Sequence, residues 1–147
     1  MGFRFRFQTV LAMRERQEDE RRNELALEER RLAEKSAELS TWDEAHRQGM
    51  KTFFDACNGV VDIEYLSRCQ SHLNFLKERR EDCRRAIETI HTDVDQARGR
   101  FIEARKERKA MEQLKEKNHQ AYIKEEQEKE QKFLDDIGLS VYSRKPR

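Results

Sequence analysis

Proline and glycine are scarce in this chain of 147 residues: one proline, at position 146, and five glycines. That leaves few places for the backbone to reverse. Apolar residues are also sparse, at 35% hydrophobic against 41% charged, where a compact domain of this size would be close to half apolar. Such a composition cannot fill a wide core, but it can fill a narrow seam between long helices. Charge of one sign is missing as well. The 31 basic and 30 acidic residues leave a net charge of +1, without the positive excess expected of a general nucleic-acid binder. No apolar run approaches the roughly 18 residues of a membrane span, so no direct membrane insertion is expected. The N-terminus lacks the continuous apolar stretch of a secretory signal. Its first fourteen residues are basic and acid-free, as in an organellar presequence, but Glu15, Glu18 and Asp19 end that pattern.

The three cysteines, Cys57, Cys69 and Cys83, are odd in number and lack CxxC spacing. They read neither as a disulfide framework nor as a zinc site, and a reducing cytoplasm is the simplest setting. Nucleotide-binding, zinc-protease and hydrolase motifs are missing too. Carboxylates on a two-helix assembly face water, without the pocket that would shift their pKa values for acid–base work. The chain is therefore read as a non-enzyme with no cofactor. His46, Cys69 and His72 could converge on one side, but the plainer account is a buried thiol flanked by histidines, and no metal is expected.

What is present is periodicity. Steps of three and four from Leu66 reach Cys69, Leu73, Leu76, Arg80, Cys83, Ile87, Ile90, Val94, Ala97, Phe101, Ala104, Arg108 and Met111. Only two arginines break this series, which marks a coiled-coil seam. Earlier in the chain, Leu11, Leu25, Leu32 and Leu39 share a heptad row with Glu18 as its gap, continuing through His46, Met50 and Phe53. Ala26, Ala33 and Ala37 lie beside the leucines and would let another backbone approach. "CNGVVD" at residues 57–62 supplies the break, with Asn58 and Gly59 suited to end one helix and Asp62 to cap the next.

The expected fold is all-α: two long helices in an antiparallel coiled-coil hairpin, forming a single unit over 1–147. Helix one spans about 7–57, the turn 58–61, helix two about 62–137, and a basic tail 138–147 that Gly138 begins. Folding about residues 59–60 sets Leu32 against Ile87, Leu25 against Val94, Phe7 near Met111 and Trp42 near Leu76. Helix two then overhangs from near Gln113 to Ile137. The alternative is that each helix pairs with a second molecule, which would leave the Asn-Gly break without a purpose.

Two places suit partners. Phe75 points away from the seam with His72 and Arg79 beside it, the composition of a protein-binding hot spot, although single exposed apolar residues are common. In the opening "GFRFRF", a helical reading puts Phe3, Phe7 and Leu11 on the seam face and turns Phe5 elsewhere. Arg4 and Arg6 oppose the helix dipole at a cost of about a few tenths of a kcal/mol each. A basic aromatic end serves best if something acidic and concave receives it. The competing readings are a frayed end packed on helix two, and membrane-surface attachment.

With these ends in view, the chain resembles the FliJ family of flagellar type III export proteins. That family opens with F-x-F-x-L-Q-x-V-L, then an arginine and an acidic pair. Here the positions are Phe3, Phe5, Phe7 (for the usual leucine), Gln8, Val10, Leu11, Arg14, Glu18 and Asp19. The family often closes with a lysine, an acidic pair and basic residues, matched by Lys132, Asp135, Asp136, Arg144 and Lys145. The resemblance implies a cytoplasmic helical hairpin, peripheral at the inner membrane through the export apparatus. It would sit in the central opening of the hexameric export ATPase and promote its assembly. It would also contact the export gate's cytoplasmic domain and substrate–chaperone complexes. Carried over residue by residue, the ATPase ring would meet Phe3, Arg4, Phe5, Arg6, Phe7, Leu11 and Arg14. At the C-terminal end the contact falls to Lys132, Leu134, Asp135, Asp136, Arg144 and Lys145, and the gate surface to His72, Phe75, Leu76 and Arg79. The alternative is a generic coiled-coil adaptor or spacer, with nucleic-acid or membrane-surface binding third.

Overall fold

The computed structural model describes residues 2–144. They form two helices, α1 (Gln8–Ala56) and α2 (Ile63–Ser143), and no strand among the described residues. Both are built from long runs of Ala, Leu, Glu, Gln, Lys and Arg, the residues that lose least on entering a helix. Their exposed faces carry ion pairs three or four residues apart, such as Arg30–Glu34 at 3.1 Å and Lys35–Glu38 at 2.8 Å.

The link between the helices is built from short-range polar contacts. The Cys57 N–H donates to the carbonyls of Phe53 and Phe54, each at 3.2 Å, and the Asn58 N–H to Asp55 O at 3.2 Å. Gly59 takes a φ of 85°, the left-handed conformation that costs a glycine nothing. Asp62 Oδ1 then accepts the N–H groups of Glu64 at 3.0 Å and Tyr65 at 3.3 Å, capping α2.

The chain packs as two compact units, not the single one expected. One comprises Glu20–Phe101. Its core is the apolar part of the α2 seam, with Leu73, Leu76, Cys83, Ile90, Val94 and Ala97 buried. Leu25, Leu32 and Leu39 of α1 are half-buried against them. Each large side chain so removed from water contributes about 1.5–3 kcal/mol. Arg80, an interruption in the seam, is met by Asp43 at 2.6 Å. Close approach of the helices falls at Gly49, where a Cβ would stand 3.0 Å from Leu73 Cδ2. Ala26, Ala33 and Ala37, expected to serve that purpose, are exposed instead.

The other unit comprises Met1–Asp19 with Ile102–Arg147. Its buried residues are Phe5, Leu11, Ala104 and one charged group, Glu18. The gap in the α1 leucine row is thus filled: Glu18 pairs with Arg108, the second interruption of the α2 seam, and Arg108 also reaches Glu112 at 2.6 Å. Both carboxylates, Glu18 first, hold the Arg108 guanidinium above its ordinary pKa.

Three expectations need correcting. Register differs first. Asp43 meets Arg80, Arg22 lies against Phe101 and Gln8 meets Lys115, each partner about one helical turn further along α2 than a fold about residues 59–60 requires. These pairs put the start of α2 about one turn beyond the end of α1. Second, the opening is not helical. Residues 2–5 precede any helix and α1 starts at Gln8, so Phe5 is buried while Phe7 is 38% exposed. Extended chain covers about 3.3 Å per residue, twice the helical rise. Phe3 therefore reaches His119 and Tyr122, and α2 stays covered beyond Gln113. Third, α2 passes through Gly138 to Ser143. Gly138 keeps a negative φ, and a helical glycine costs only about 1 kcal/mol relative to alanine. No tail therefore starts at 138, and Lys145 lies outside the described residues.

Candidate partner-binding surfaces

The N-terminal segment owes its position to aromatic packing. The Phe3 ring sits 4.9 Å from His119 and 5.7 Å from Tyr122, and Phe5 meets Phe7 edge-on at 5.9 Å. Between these rings Arg4 and Arg6 are exposed. They share a cleft of about 920 Å³ with Phe3, Phe5, Gln8 and Lys115, and Lys115 donates to Gln8 Oε1 at 3.1 Å. The Arg6 guanidinium lies 5.6 Å from the centre of the Phe7 ring. Arg14 is held by Glu107 at 2.5 Å and Gln17 at 3.1 Å.

Of the seven residues assigned to this end, Phe5 and Leu11 are core and face no partner. Phe5 is buried from the non-helical strap, and Leu11 from the first turns of α1. Arg4, Arg6, Phe7 and part of Phe3 remain open. Lys115 and His119 were not legible as neighbours, because the expected overhang began before them.

Beyond Tyr122 every described residue of α2 is exposed. A charged stretch comes first, where Lys129 bridges Glu125 at 2.8 Å and Glu126 at 3.2 Å, raising the lysine pKa and lowering that of Glu125. Apolar residues follow, with Phe133 65%, Leu134 55% and Val141 57% exposed. Lys132, Asp135, Asp136 and Arg144 are exposed among them, and Asp135 accepts from Gln131 at 3.1 Å.

Within residues 20–101, Phe75 is 44% exposed. Arg79 stacks over its ring at 5.2 Å, and Trp42 of α1 meets it edge-on at 6.3 Å. His72 is exposed beside it. Leu76 is 1% exposed and can touch no partner: it is a core residue under the patch. Trp42 was the missing member. Read as a seam residue opposite Leu76, it meets the ring of the neighbouring Phe75 on the surface.

The burial pattern also bears on chemistry. Among the described residues no group of three His, Cys, Asp or Glu could hold a metal ion, and His46, Cys69 and His72 form none. Burial, with Arg80 nearby, lowers the His46 pKa, and burial raises that of Cys83. No described helix is long and apolar enough to cross a membrane.

Two antiparallel helices, a seam interrupted by matched charges, and open surfaces of aromatic and arginine residues define a helical-hairpin protein. Residues 3–147 match the family described as flagellar FliJ protein, and the chain belongs to that family. It is thereby a component of flagellar type III export, in a family of non-enzymatic components. The fold is similar to a solved structure from Chlamydia trachomatis, CT670, described as a proposed YscO homolog. The two share 18% identity over 97% of this chain and 96% of that one, with a TM-score of 0.53. Among curated proteins none matches this chain.

Proposed function

We propose that this chain enters the central opening of the hexameric flagellar export ATPase, promotes its assembly, and links it to the export gate and to substrate–chaperone complexes. The observation that carries this reading is the pairing of two features in residues 1–19 and 102–144. One is a basic cleft on an aromatic strap anchored by the buried Phe5. The other is a stretch of α2 with no α1 residue against it. A ring enclosing that end would find Arg4, Arg6 and Phe7 at the strap, and Leu134, Asp135, Asp136 and Arg144 along the bare helix. The Trp42–Phe75–Arg79 patch, with His72, is the surface offered to the gate's cytoplasmic domain. Any ATP hydrolysis would be the partner's, and the protein would act in the cytoplasm, at the inner membrane only through the apparatus.

The test is the ATPase rate of the cognate enzyme below its self-assembly concentration, with wild type and with Arg4→Glu/Arg6→Glu. Stimulation that the double variant loses supports insertion through the strap. Equal stimulation by both moves the contact to the bare end of α2. A folded protein that stimulates nothing leaves the coiled-coil adaptor as the better account.

A further inference from the structure

The link between α1 and α2 carries more apolar surface than its job requires. Val60 is fully exposed at 101%, Ile63 is 80% and Phe54 69% exposed, and Val61 is open beside them. None of these residues contributes to a seam. Isolated exposed apolar residues are ordinary, but four fall within ten positions here, from the last turn of α1 through the link to the first residue of α2. Their backbone is also fixed in advance. The Cys57 and Asn58 N–H groups are satisfied by α1 carbonyls, Gly59 takes its left-handed conformation, and Asp62 caps α2. A turn so held loses little freedom on binding.

The charge around the patch limits what can cover it. From Asp55 to Glu64 the chain carries three carboxylates, Asp55, Asp62 and Glu64, and no cation. The flanking cations stand outside this span: Lys51 one helical turn before Asp55, and Arg68, drawn back over the Tyr65 ring at 5.9 Å. A second copy meeting it turn to turn would set carboxylate against carboxylate. An anionic lipid surface would be repelled in the same way.

We propose that the α1–α2 turn is a docking knob for a folded protein of the export apparatus that offers an apolar socket rimmed by lysine or arginine. Val60 and Ile63 fill the socket, while Asp55 and Glu64 face its basic rim. The proposal rests on the export reading for the source of the partner, but uses none of the residues assigned to the ATPase ring.

The test uses full-length protein and three purified probes: the export ATPase, the cytoplasmic domain of the export gate, and a substrate–chaperone complex. Val60→Ser/Ile63→Ser is expected to keep wild-type helicity and melting behaviour, since both side chains are exposed. It should weaken binding to the gate domain or the chaperone complex by about tenfold or more. Asp55→Lys/Glu64→Lys should weaken the same complex, while Arg4→Glu/Arg6→Glu leaves it intact. If the turn variants bind every probe as wild type does, while Arg4→Glu/Arg6→Glu loses the ATPase, the knob is refuted and the export reading stands. Wild type that binds no probe overturns both. A turn-dependent dimer mass, or turn-dependent sedimentation with phosphatidylglycerol vesicles, assigns the patch to another occupant and overturns the knob.

Discussion

Residues 20–101 and the unit made by residues 1–19 with 102–147 use the same helix pair in different ways. In the first, the seam is apolar, and its one basic interruption, Arg80, sits at the edge against Asp43. In the second, a carboxylate, Glu18, is among the few buried residues, and much of the remaining cover comes from phenylalanines on non-helical chain. Apolar burial is non-directional and roughly proportional to area, so the first arrangement supplies stability. A buried ion pair recovers little more than its desolvation cost, but it penalises every register that leaves a charge alone. The second arrangement therefore supplies alignment. The less apolar unit is also the one whose α2 runs on unpartnered.

This contrast can be broken by mutation. The largest effect is expected from Leu76→Ala, which empties the best-buried position and should cost about 3 kcal/mol. Urea unfolding would show it, and hydrogen exchange should place the loss first in residues 20–101. Glu18→Ala should cost about 2 kcal/mol, below the range for a fully buried pair because Arg108 retains Glu112 and is one-fifth exposed. The sharper result is the double variant Glu18→Leu/Arg108→Leu, expected to recover most of that loss. A double variant no more stable than Glu18→Ala would mean that the pair stabilises as well as aligns.

Smaller changes test the packing on each side. Gly99 has nothing within 4 Å of an added Cβ, so Gly99→Ala should stabilise by about 0.5–1 kcal/mol through helix propensity alone. Gly49→Ala offers the same propensity gain but sets a methyl 3.0 Å from Leu73, so its melting temperature should fall below that of Gly99→Ala. The smallest effect concerns pH. Burial lowers the His46 pKa from 6.5, so its contribution is complete above about pH 6.5 and is lost as pH falls through the folded value. Wild type should lose stability on acidification through that window more steeply than His46→Gln, as read from paired melting curves.

The legibility of the molecule divides along similar lines. The α2 seam from Leu73 to Ala104 was readable because a three-four spacing of apolar residues has one physical meaning over that length. The turn was readable from Asn58, Gly59 and Asp62, whose backbone preferences are local. Phe5 and Phe7 were assigned the wrong way round, because alternation and helical spacing compete in a segment too short to decide between them. Leu11 and Leu76 were grouped with binding residues although they are core. Their spacing had placed both on the seam, and only the family resemblance set them among the contacts; what spacing could not show was the offset of about one turn between the helices.

Composition and periodicity by themselves determined that this chain forms two helices, joined once, sharing a narrow seam. Too few apolar residues for a wide core, and too few breakers for another fold, leave little else. Both signals act over a few residues and need no knowledge of what lies opposite. Tertiary structure alone decided the alignment: that Arg80 meets Asp43, that Arg108 meets Glu18, that Trp42 joins Phe75, and that an extended strap carries Phe3 to Tyr122. Those outcomes depend on where α2 starts relative to the end of α1, and other offsets would leave Glu18, Arg80 or Arg108 without the partners they have here.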